Sequence, residues 1–280
     1  MRNRVVCAAA CAALSILATS ARAASADLLV DHFTFTLAPL SASGPAPSIT
    51  FDPQALGPFL QTSVSAESPS SWSQQQFIGA GVFGNVSSSQ AIPGGSAQAA
   101  FSGDVSAGAT IQESVAAQGT VPGAFLNDAS ASIYVDDNGS ALRFTLGPNT
   151  LLDISGTVTL QSSVDELPTS VPGSYEQAWA LAFFELSGTN GGVTQDTTAQ
   201  FSVQSQVLDG NVTWASAQDT DTFDLVFVGS RTLATSGLFS GGAQAYAVSS
   251  ITAVPEPSEA LLMAAGAAFF GLLARRRLRG

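Results

Sequence analysis

Lysine is absent from this 280-residue chain, histidine occurs once, and both cysteines, Cys7 and Cys11, lie in an apolar N-terminal run. If that run is removed on export, the remaining chain has no thiol, which excludes disulfides, cysteine catalysis and thiolate metal sites. A zinc centre then has too few soft ligands. A lipid anchor on either cysteine is disfavoured, because neither follows a Leu-Ala-Gly type context. The single His32 stands beside Asp31 on an alternating segment and reads as a solvated strand residue rather than the base of a nucleophilic triad.

Charge is also scarce, at 11% of residues with a formal net charge of -12. Of the basic residues only Arg143 and Arg231 lie between the two ends, against all but two of the 21 acidic residues. A body this negative repels phosphate backbones and anionic headgroups, which disfavours nucleic acid as a partner and peripheral attachment of the body to a lipid surface. Cations, neutral glycans and basic surfaces remain.

The ends carry what the body lacks. Arg2 and Arg4 precede the apolar run Val5 to Ala18, and small residues follow at Ala21, Ala23, Ala24 and Ala26. That order is what export machinery and signal peptidase recognise. A signal peptide over residues 1–26 is expected, with cleavage after Ala23 or Ala26; Ala21 and Ala23 form the preferred small-x-small site.

At the other end, Val254, Pro255, Glu256 and Pro257 precede Ser258 and Glu259, an uncharged run from Ala260 to Ala274, and then Arg275, Arg276, Arg277 and Arg279. The prolines prevent a helix from propagating upstream, Ser258 is a good N-cap, and the arginines suit the negative end of the helix dipole. As a helix the run reaches about 22 Å at ~1.5 Å per residue, short of a ~30 Å hydrocarbon core. The arginines must therefore snorkel for it to span. Kept in the cytoplasm as the membrane stop, they place the body outside.

This tail, residues 254–280, resembles the PEP-CTERM sorting signal of Gram-negative bacteria. The resemblance implies recognition of Val254, Pro255, Glu256 and Pro257 by an exosortase-type processing protease that cuts the tail from an inner-membrane precursor. It also implies delivery to the cell surface or extracellular polysaccharide.

The body, residues 27–253, shows period-two alternation in many short runs. Phe33, Phe35 and Leu37 form one; Phe201, Val203 and Val207 another; Phe223 to Val228 and Gln244 to Ile251 two more. Ile133 and Val135, the turn Asp136-Asp137-Asn138-Gly139, then Leu142, Phe144 and Leu146 read as a hairpin, continued after Pro148-Asn149 into a meander. Glu176 to Leu186 reads as a strand, with Trp179, Phe183 and Phe184 suited to burial. Ser41 to Ser73 reads as a long loop. The expected fold is all-β, one antiparallel β-sandwich or jelly-roll-like domain, between a signal helix and one C-terminal transmembrane helix.

Function is less legible. Asp136, Asp137 and Asn138, and again Asp219, Asp221 and Asp224, are oxygen-rich groups of the kind that hold calcium at strand ends. Calcium is the one cofactor the sequence suggests, and a calcium-dependent glycan-binding module is one reading. Glu113, Glu166, Glu176 and Glu185 supply the carboxylates a secreted glycosidase or lyase would need. The leading expectation is a non-enzymatic exported protein associated with extracellular polysaccharide.

Overall fold

The computed structural model describes residues 23–52, 58–67, 72–79, 83–118, 126–135, 141–165, 175–208 and 211–250. Every regular element among them is a strand. In chain order these are β1 (Ala23–Pro39), β2 (Ile49–Phe51), β3 (Phe59–Glu67), β4 (Trp72–Gly79) and β5 (Val86–Ile92). β6 (Gly95–Asp104), β7 (Gly108–Gln118), β8 (Leu126–Tyr134), β9 (Leu142–Leu146) and β10 (Thr150–Val164) follow. β11 (Tyr175–Asn190), β12 (Val193–Leu208), β13 (Asn211–Trp214), β14 (Ser216–Val228) and β15 (Thr235–Ser250) complete the series.

The strands form two antiparallel sheets that face each other across one core. The first has the order β14-β10-β1-β7-β6-β5. The second runs β13-β12-β11-β15-β8-β3-β4, with β9 and β2 added beside β15. The all-β antiparallel expectation holds, and both expected terminal helices fall outside the described residues.

A ring cluster fills the centre. Phe33 contacts Phe35, Phe184, Phe223 and Phe239, and Phe184 stacks on Phe223 with centroids 4.4 Å apart. Elsewhere the two sheets meet through alanines, among them Ala97, Ala99, Ala129, Ala131, Ala178, Ala180 and Ala245, all buried. Small side chains let the sheets approach closely there.

β1 shows how local geometry serves the core. Leu28 and Val30 are buried at even positions, Phe33 and Phe35 at odd ones. A bulge reconciles them: the register with β10 shifts between Asp31 and Thr34, and that with β7 between Val30 and Phe33. His32 takes the extra position with φ 54, and Asp31 accepts its amide at 2.9 Å. One inserted residue flips the pleat so that both apolar pairs face inward.

Three sequence expectations are corrected. β8 and β9 do not form a hairpin. Both pair antiparallel with β15, β9 along Thr235 to Phe239 and β8 along Gly242 to Ser249, so they run in line along one edge. Pro148-Asn149 is a corner rather than a meander turn, because it carries the chain from β9 in one sheet to β10 in the other. Asn149, at φ 63 and 1% exposed, donates from Nδ2 to the Ser41 carbonyl at 3.0 Å and the Pro45 carbonyl at 2.9 Å, pinning the segment that follows β1. Ser41 to Ser73 is not one loop, since β2, β3 and the start of β4 lie within it.

Candidate binding face

The residues singled out in the sequence separate rather than converge. Ala23 opens β1, and Ala24 and Ala26, inside the expected leader, are fully buried and paired on both sides. Ala21, Val254 to Pro257, and Arg275 to Arg277 lie outside the described residues, as do Asp136, Asp137 and Asn138. Asp219 and Asp221 point to the side of β14 that carries Phe223 and Leu225, whereas Asp224 points to the other side. The three aspartates therefore cannot ligate one ion from a regular strand. Asp224 instead faces Asp153, whose carboxyl is raised above the ordinary aspartate range by burial first and by the Asp224 charge second. Among the described residues no group of three or more His, Cys, Asp or Glu side chains is arranged to hold a metal.

The carboxylates considered for sugar hydrolysis are also dispersed, and Glu166 lies outside the described residues. Glu185 is exposed. Glu113 is 1% exposed on the core face of β7, and burial holds its carboxyl well above the usual range. The Ile133 amide eases that shift without closing a hydrogen bond of normal geometry. Glu176, also buried, accepts a hydrogen bond from Ser249 Oγ at 3.2 Å. Ile133 pairs with Ala243 and Glu176 with Ser249, which places the two glutamates about 20 Å apart along the sheet at ~3.3 Å per residue. His32 is 79% exposed, with Nδ1 3.0 Å from Asp31 Oδ2.

What the structure does assemble is an outer face. On β11 the even residues enter the core, so Tyr175, Gln177, Trp179, Leu181 and Phe183 point outward and stay partly exposed. This corrects the expectation that Trp179 and Phe183 are core; only Phe184 of the three is. Cross-strand register places Tyr246 opposite Trp179, with ring centroids 5.8 Å apart and planes inclined by 31°. The Phe183 ring lies over Gly242, where a Cβ would stand 3.2 Å from the ring and 2.7 Å from the Ile133 carbonyl.

Polar groups interleave with these rings. Gln204 lies opposite Trp179 on β12, Gln244 opposite Leu181 on β15, and Gln244 Nε2 donates to Tyr134 Oη at 2.8 Å. Ser130, Ser132 and Tyr134 extend the face across β8, and Gln61 and Ser63 across β3. A hollow of about 590 Å³ lies beside Trp179, Leu181, Ser202 and Gln204. Between Tyr175 and Phe183 the one carboxylate among the described side chains of this face is Asp128, which accepts from Ser65 Oγ at 2.8 Å. The Tyr246 phenol is held above its ordinary range by burial, then by Asp128 and Tyr175, and Tyr175 likewise by burial. Both phenols therefore remain neutral donors.

Such a surface offers ring faces to C–H groups and amides and hydroxyls to hydroxyls, with almost no charge. Sequence reasoning missed it because β11 is apolar on both sides, and a single strand does not announce which side meets the second sheet. No family model matches the chain, and no curated protein matches it either.

Proposed function

We propose that this chain is an exported, non-enzymatic matrix protein whose sandwich binds neutral extracellular polysaccharide through the outer face of the larger sheet. Its C-terminal segment is, on this reading, a PEP-CTERM-type sorting signal that holds the precursor in the inner membrane until an exosortase-type protease removes it. The Trp179–Tyr246 pair, flanked by glutamines and serines on a nearly uncharged face of an acidic body, is the observation that carries the binding half. The order of prolines, apolar run and arginines supports the delivery half.

Binding is tested by affinity electrophoresis through gels containing dextran, β-glucan, xylan or galactomannan. At least one should retard the protein, and Trp179→Ala should weaken that retardation about tenfold or more, as expected for a central aromatic anchor. Both side chains leave the core face intact, so Tyr246→Ala should act in the same direction with the fold preserved. Equal retardation of wild type and both variants would remove the platform from the account.

Delivery is tested by the intact mass of the extracellular form. Its N-terminus is expected at Ala24, because cleavage after Ala26 would strip two buried residues from β1. Its C-terminus is expected near Pro257, and replacing Pro255, Glu256 and Pro257 with alanine should leave the tail attached and the protein with the membrane. Release of an unprocessed chain, or processing unaffected by the triple substitution, would end the sorting proposal.

A further inference from the structure

The same outer face continues beyond the rings. Along β11 and β15 it reaches a groove of about 740 Å³ at the far end of the sheet, where β9 and β2 join β15. Register lays out its floor: Thr50 beside Thr145 beside Ser236 in one row, and Arg143 beside Leu238 in the next. Thr145 Oγ1 and Ser236 Oγ stand 3.4 Å apart, and Asp52 borders Arg143 through its amide, which donates to the Arg143 carbonyl at 3.1 Å.

Arg143 is one of two arginines in the body, it is exposed, and no ion pair holds its guanidinium among the described residues. In a chain with so many carboxylates, an arginine left without one has its donors available to a ligand. Those donors, three hydroxyls and the Leu238 side chain match a pyranose unit, which presents oxygens on its rim and C–H groups on its face. Asp52 at the rim and the negative body disfavour an acidic sugar.

We propose that this groove is a second saccharide subsite, in line with the aromatic platform, that takes a neutral sugar unit through Arg143 and the hydroxyls of Thr50, Thr145 and Ser236. The inference rests on the reading of the outer face as a polysaccharide platform. From Tyr246 to Leu238 along β15 the distance is about 27 Å at ~3.4 Å per residue, so only an extended chain, not a mono- or disaccharide, engages both. The second contact is then intramolecular, and affinity rises with chain length without any change at the platform.

The test is a graded ladder of oligosaccharides from the neutral polysaccharide that retards the protein most, titrated calorimetrically against wild type, Arg143→Gln and Trp179→Ala. Wild-type affinity should step upward once the ladder spans both sites. Arg143→Gln should abolish that step, weakening long chains about tenfold while leaving short ones unchanged. Trp179→Ala should weaken every length. Arg143 is a surface residue, so its replacement should leave the melting temperature within about a degree of wild type.

Three results would overturn the subsite: long chains binding Arg143→Gln as tightly as wild type, a length profile without a step, or a matched uronate ladder binding more tightly than the neutral one through Arg143. Failure of wild type to bind any chain would instead remove the platform reading, and this inference with it.

Discussion

Replacing Phe184 by alanine should cost about 3–5 kcal/mol of folding stability, the range for deleting a fully buried aromatic ring. Phe184 is 1% exposed, stacks on Phe223 at 4.4 Å and contacts Phe33 at 5.6 Å, so its loss leaves two rings facing a void. The surroundings cannot collapse to fill it, because Gly241 presents no side chain at the site and a Cβ there would stand 2.7 Å from the ring now present. For a domain of this size each kcal/mol moves the melting temperature by about 2–4 °C, so a fall of about 6–20 °C is expected.

Phe201→Ala sets the scale, since Phe201 is only partly buried and meets Phe223 at 6.3 Å. Its cost should be near 1 kcal/mol. Similar urea midpoints for the two variants would show that the ring cluster is not the centre of the core. Phe184 and Trp179 lie on opposite faces of β11, so the first substitution should also loosen the platform, whereas Trp179→Ala should leave the melting temperature close to wild type.

The strand pattern was legible where bulky residues alternate. Leu152, Ile154, Val158 and Leu160 announce β10, and Phe223 to Val228 the inner half of β14. It was not legible in β6 and β7, whose inward residues include Ala97, Ala99, Ala109 and Ala117. Alanine is a poor strand former and a weak marker of burial, and here it is buried because two sheets sit close together. β1 hid differently: its apolar positions change parity at His32, and only a bulge makes one strand of them.

Partner choice is what sequence withholds. Asp-Asp-Asn-Gly between two alternating runs signals a local reversal, yet both runs pair with β15, roughly a hundred residues downstream. The groove around Arg143 draws on β2, β9 and β15 for the same reason: its members are neighbours only after non-local pairing. The aspartates of β14 could have been sorted earlier, since Asp224 differs in parity from Asp219 and Asp221, and parity alone places it on the other side of a regular strand.

At Glu113 sequence pattern and core disagree, and the disagreement predicts a gain. The sequence puts a glutamate at an inward position of β7 between Ile111 and Val115, and the structure buries it with no hydrogen-bond partner for either oxygen. Because its carboxyl is raised in the folded state, the native sandwich holds this proton more tightly than the unfolded chain does. The stability it contributes is fully present below about pH 4.5, the unfolded value, and is lost as pH rises through the elevated folded value. Asp153 acts in the same direction with a smaller shift.

Glu113→Gln removes the ionisation but keeps an unsatisfied polar group, so it should flatten the decline of melting temperature that wild type shows as pH rises above about 4.5. Glu113→Met removes both and matches the unbranched shape. It should add about 1–3 kcal/mol at neutral pH, a rise of roughly 2–12 °C. The two variants together separate the cost of charge from the cost of the missing hydrogen bond. A wild-type melting temperature that rises with pH, or a Glu113→Met protein less stable than wild type, would mean that the carboxylate has a partner and that its burial has been misread.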